Sequence, residues 1–104
     1  MFDYFDMAYN YEDRKVANYT SGDVTLFVDT ARVTDSSKPY ETAISHPKYN
    51  HNKWVIVELY DTKEEAQIGH DKWVALMTAE ILPEVLIIDT VRQIKVKRSD
   101  LEAS

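Results

Sequence analysis

Trp54-Val55-Ile56-Val57-Glu58-Leu59-Tyr60, followed at once by Asp61-Thr62-Lys63-Glu64-Glu65-Ala66, is the stretch on which the fold turns. Its first seven residues are apolar on both faces except at Glu58, and rich in β-branched and aromatic side chains. That composition suits a central strand covered on both sides, or covered by a helix on one face and a partner on the other. The next six residues change period. Asp61 or Thr62 caps a helix, with Glu64 or Glu65 three residues on completing a capping box in either register. Both glutamates also meet the positive end of the helix dipole. Ala66, His70, Trp73, Val74 and Met77 then recur at three- and four-residue spacing and form one apolar stripe, with Lys63, Gln67, Asp71 and Lys72 mainly off it. A helix is therefore expected over 62–78, fading near Thr78, with Pro83 ending anything that continues. Gly69 costs about 1 kcal/mol relative to alanine in a helix interior. Its expected compensation is a close approach of helix to sheet beside Trp54.

Working outward, residues 40–45 read as a strand with Tyr40, Thr42 and Ile44 on one side, stopped by Pro47. Residues 46–52 are polar and turn-forming, so the two strands make a long-looped antiparallel hairpin. Upstream, residues 15–20 and 23–28 flank Ser21-Gly22, a hairpin signal because glycine tolerates the positive φ of tight turns. Val24, Leu26 and Val28 alternate with Asp23, Thr25 and Asp29, and the run extends through Ala31 towards Thr34. Residues 35–39 form a loop. Downstream, residues 85–88 and 94–96 are the last strand candidates, with Asp89-Thr90 as a turn or bulge. A short helix across 79–82, or one running through Ile88, is the alternative there. The reading is an α+β fold: a mainly antiparallel sheet of four to six strands with one amphipathic helix on one face. Trp54, Ile56, Val57, Leu59, Trp73, Val74 and Met77 are its expected core.

The 104 residues make one domain, with 1–12 as an arm and 99–104 frayed. A hydrophobic content of 44% with only two glycines and three prolines leaves little room for linkers. The absence of cysteine excludes disulfides, thiolate metal sites and cysteine nucleophiles. No run approaches membrane-spanning length, and Met1-Phe2-Asp3-Tyr4-Phe5-Asp6 is acidic where a secretory leader is basic. A net charge of −6 disfavours nucleic acid, which requires clustered Lys and Arg.

The charge is uneven. Asp3, Asp6, Glu12 and Asp13 stand without a basic neighbour in the first thirteen residues, while Arg92, Lys95, Lys97 and Arg98 cluster near the other end. The basic cluster reads as a solvated strand face, or more sharply as a patch that contacts an anion or docks an acidic partner. Phe2, Tyr4, Phe5, Tyr9 and Tyr11 make the first segment an edge strand, or an arm that packs on a neighbouring subunit or partner. The candidate interaction surface thus comprises these five aromatics, the loop residues His46, Tyr49 and His51, and the four basic residues.

Catalytic signatures are missing. His46, His51 and His70 have no standard ligand spacing, and His70 suits an imidazole at the helix–sheet interface bonded to backbone. Glu58 fits a solvent-facing strand position or a pair with a lysine on the next strand; a buried glutamate would suit acid–base work. With Gly22 and Gly69 as the two glycines, phosphate-cradling loops are excluded. No catalytic residue, metal or cofactor is assigned.

Tyr40-Glu41-Thr42-Ala43-Ile44-Ser45-His46-Pro47, Tyr49-Asn50, Trp54-Val55-Ile56-Val57-Glu58, Tyr60-Asp61-Thr62-Lys63-Glu64-Glu65-Ala66 and Gly69-His70-Asp71-Lys72-Trp73-Val74 together resemble small uncharacterised proteins encoded by tailed bacteriophages. The likeness covers residues 40–78, about a third of the chain. It implies a phage origin, in a virion or the host cytoplasm, and no catalytic assignment. The expected role is that of a non-enzymatic protein acting through protein–protein surfaces, with a protein partner or by self-association, as a minor virion component or adaptor. The alternatives are an intracellular inhibitor of a host defence enzyme, and a small-ligand or metal enzyme that needs His46, His51, His70 and Glu58 to converge.

Overall fold

A computed structural model describes residues 15–33, 37–87 and 95–99. Four strands, β1 (Lys15–Thr20), β2 (Phe27–Arg32), β3 (Tyr40–Ser45) and β4 (Val55–Tyr60), form an antiparallel sheet in sequence order. Helix α1 (Lys63–Thr78) crosses one face and contacts all four strands. Strands β5 (Val85–Ile87) and β6 (Lys95–Lys97) pair antiparallel as a second, two-stranded sheet. The aromatic N-terminal segment, Arg92 and the Asp89-Thr90 turn lie outside the described residues.

The helix start follows the expected chemistry. Thr62 is the N-cap, its hydroxyl accepting from the Glu65 amide at 3.1 Å, and Glu65 reaches back to accept from the Asp61 amide at 3.3 Å. The β1–β2 connection differs from the Ser21-Gly22 hairpin. It runs from Ser21 to Leu26, so β2 begins at Phe27, and the positive φ falls on Val24 rather than on Gly22. Asp23 holds this loop by accepting from the Ser21 and Thr25 hydroxyls, an Asx-type device that does the work assigned to glycine.

Directly opposed residues share a face. Val28, Thr30, Thr42, Ile44 and Val55 therefore point together towards α1, and all five are buried. Opposite Thr42/Ala43, β4 carries one extra residue, Val57, so Thr42 faces Glu58 while Ala43 faces Ile56. This bulge resets the alternation: Val57 is buried, and Glu58 and Tyr60 still point to the helix side. The core comprises Leu26, Val28, Ile44, Tyr49, Val55, Val57, Met77 and Leu86, with Trp73 and Val74 packed against it.

Trp54 and Ile56 are corrections to the expected core: they are 53% and 39% exposed, on the sheet face away from α1. A strand apolar on both faces predicts two coverings, and α1 supplies one. Gly69 is likewise explained by Tyr60 and not by Trp54. A Cβ at position 69 would fall on the Tyr60 ring and hydroxyl well inside 3.0 Å. Among the described residues, no helix is long and apolar enough to cross a membrane.

Candidate functional site

Between sheet and helix runs a chain of hydrogen bonds that links seven residues of β2, β3, β4 and α1. The Thr30 and Thr42 hydroxyls meet at 2.6 Å, Thr30 bonds His70 Nδ1 at 2.8 Å, and Thr42 bonds the Tyr60 hydroxyl at 2.9 Å. Tyr60 donates to Glu58 Oε1 at 3.2 Å, which also accepts from Trp73 Nε1 at 2.8 Å and Lys72 Nζ at 2.6 Å. The direction is set from the carboxylate end. Glu58 is an acceptor only, so Tyr60 spends its proton on it and accepts from Thr42; Thr42 accepts from Thr30, and Thr30 accepts from His70. His70 therefore carries a proton on Nδ1.

The ionisation states agree with that ordering. Burial holds His70 below the ordinary histidine value, against weaker upward pulls from Asp71 and Asp29. For Glu58, burial pushes upward, but donation from Lys72, Trp73 and Tyr60 together outweighs it and leaves the carboxyl below its usual range. Burial raises the Tyr60 phenol to about 12. Among the described residues no buried side-chain polar atom lacks a partner. A fully satisfied network of this kind fixes the seating of α1 on the sheet. His70 thus bonds a threonine hydroxyl and not backbone, and Glu58 pairs with Lys72 of the helix and not with a strand lysine. The bonds of this network include neither His46 nor His51, and no group of three His, Asp or Glu among the described residues is placed to hold a metal.

The 46–52 segment is a tight, left-handed turn: Asn50, His51 and Asn52 all have positive φ, at 50°, 55° and 66°. Asparagine and histidine are among the non-glycine residues that enter that region most often, though each still bears a cost that glycine does not. The turn is pinned from several sides. Asn52 N donates to Tyr49 O at 2.9 Å, Lys53 N to Asn50 O at 3.0 Å, and Ser45 Oγ to Asn52 O at 3.1 Å. Tyr49 is a correction to the candidate surface. It is only 1% exposed, because its ring fills the core and its hydroxyl donates to the Pro83 carbonyl. His46 is half-buried edge-on to Tyr49 and accepts from Lys48 N through Nδ1. Burial and the Lys48 charge depress its pKa against an upward pull from Asp23.

The other end of the chain joins this turn. Ser99 N donates to Lys48 O at 2.7 Å, and the Arg98 guanidinium donates to the Leu82 carbonyl at 2.8 Å. Arg98 thus has a structural bond, whereas His51, Lys95 and Lys97 are exposed and line one cleft of about 230 Å³ with Asn50, Pro47 and Ser99. The loop and the basic strand, some forty residues apart, form one surface.

Missing from the sequence-derived candidates is the outer sheet face. Phe27 and Trp54 pack there with ring centroids 6.4 Å apart, beside Ile56, and a cleft of about 210 Å³ opens between Trp54 and the outward residues Asn18, Thr20, Phe27 and Asp29. The signal was present in Trp54-Val55-Ile56-Val57, whose alternate residues had to face something other than the helix.

Compared with known proteins, the chain matches no family's sequence profile, no curated protein and no solved structure.

Proposed function

We propose that this chain is a non-enzymatic phage protein that works by binding another protein, as a minor virion component or adaptor. The observation that carries this reading is the outer sheet face. An exposed tryptophan packed at a tilt against a phenylalanine, with an exposed isoleucine beside it, is the composition of an interface anchor; an isolated apolar residue on a surface has no such neighbours. The adjoining cleft beside Trp54 gives an incoming side chain a place to seat. Both clefts are smaller than the roughly 300–1,000 Å³ of small-molecule sites, which favours side-chain recognition over a metabolite. The phage origin rests on the resemblance over residues 40–78.

The test is twofold. Mass spectrometry of purified particles should find the chain, or light scattering should find it in a defined assembly. Trp54→Asp should abolish that association while leaving the circular dichroism spectrum and melting temperature unchanged. A chain that stays monomeric at every concentration and is absent from particles refutes the proposal.

A further inference from the structure

We infer that the cleft between the left-handed turn and β6 is a second binding site, which takes an extended acidic segment of a partner protein. Lys95 and Lys97 are exposed, and no ion pair among the described residues holds either of them. Two residues apart on a strand, they project to the same side about 6.7 Å from each other. Opposite them, the turn presents Asn50 and His51, and Ser99 closes the end. Two cations without an ion-pair partner among the described residues, and several hydrogen-bonding groups, thus converge in one concavity of a chain whose net charge is −6.

The site is built before any ligand arrives. Its wall is a run of three left-handed residues held by the bonds of Tyr49, Ser45 and Lys53, and its floor is tied to the loop through Ser99 and Lys48. Strain of this kind persists only where its surroundings over-determine it, and it gathers at binding sites. A preformed site avoids the ordering cost that weakens flexible surfaces.

The spacing selects the ligand. Among the described residues Lys95–Lys97 pairs with β5 alone, and just beyond it Ser99 N is bonded to Lys48 O, so a segment lying along Lys95–Lys97 would follow the strand direction. Alternate side chains of an extended segment repeat at the lysine spacing, so carboxylates at positions i and i+2 meet Lys95 and Lys97 together. Both lysines can also reach one phosphate, which makes phosphate the competing ligand in the test, whereas a nucleic acid strand needs a longer basic track than two lysines supply. The site is independent of the Trp54 face.

The test is an amide-resolved NMR titration of the full chain. The probe is a short peptide alternating glutamate with threonine or valine, beside a peptide of the same composition with its glutamates contiguous. Inorganic phosphate and a single-stranded oligonucleotide serve as further probes. The alternating peptide should shift the amides of residues 48–53 and 95–99 and weaken with added salt. The Lys95→Glu/Lys97→Glu variant should weaken it by at least about tenfold, and Lys95→Gln/Lys97→Gln by less, with melting temperatures unchanged. Trp54→Asp should leave the titration as it was. Equal binding of the contiguous peptide, phosphate or the oligonucleotide overturns the inference, as do shifts elsewhere on the chain or none.

Discussion

Gly69→Ala is the most informative single substitution, because two effects of known sign oppose each other there. In an ordinary helix interior the change stabilises by about 1 kcal/mol. Here the new methyl group lands on the Tyr60 ring, whose hydroxyl is fixed between Thr42 and Glu58. Tyr60 is buried, so its ring has no free direction in which to retreat. Overpacking of this kind costs about 2 kcal/mol, and weakening the two hydrogen bonds adds about 1–2 kcal/mol. Less the propensity gain, the net loss is about 2–3 kcal/mol, a fall in melting temperature of roughly 10–20 °C. Urea unfolding followed by circular dichroism measures it. In a Tyr60→Val background the obstacle is gone, and Gly69→Ala should instead stabilise by up to about 1 kcal/mol; added sulfate keeps both backgrounds folded. A Gly69→Ala protein as stable as its parent would falsify the account of how α1 sits on the sheet.

Other outcomes follow from the same contacts. His70, His46 and Glu58 all have depressed pKa values, so as pH falls the unfolded chain takes up protons first and the native state loses stability. The loss should begin near 6.5 through the histidines and deepen below about 4.5 through Glu58. In His70→Gln the upper part of that loss should shrink in urea titrations across pH. Nitrogen NMR of His70 should report the proton on Nδ1; a proton on Nε2 contradicts the assigned bond direction. Trp73→Phe removes one donor from half-exposed Glu58, which should cost about 1 kcal/mol and raise the Glu58 titration midpoint seen by carboxyl-carbon NMR. His51→Gly relieves a left-handed histidine and should stabilise the fold by about 0.5–1 kcal/mol in thermal melts, whereas a loss of stability would mean that the imidazole makes contacts that outweigh the strain.

Much of this architecture is local and so is legible in the residues. The strand at Val55–Tyr60 and the helix at Lys63–Thr78 are set by side-chain period and by a capping box whose partners are three or four positions apart. The α+β class follows from that junction together with the alternation in Tyr40–Ser45. Period also showed that both faces of the Trp54–Tyr60 segment are apolar, but not which one the helix would take. That was decided by the register with β3 and by the extra residue at Val57, which keeps Glu58 and Tyr60 on the helix side and leaves Trp54 and Ile56 outside.

The same division runs through the candidate sites. Lys95 and Lys97 were visible as a basic alternation and His51 as a loop residue, yet nothing in their positions said that they share a cleft, because that depends on contacts between segments over forty residues apart. Tyr49 looked like one more surface aromatic, and only the tertiary packing of its ring in the core, with its hydroxyl on the Pro83 carbonyl, makes it a core residue. The opening junction of strand and helix was thus determined by the sequence alone, since propensity, capping and period act within a few residues. What lies on each side of it, a satisfied polar network within and an exposed tryptophan without, was decided by tertiary pairing, because a one-residue shift in register exchanges the two faces of a strand.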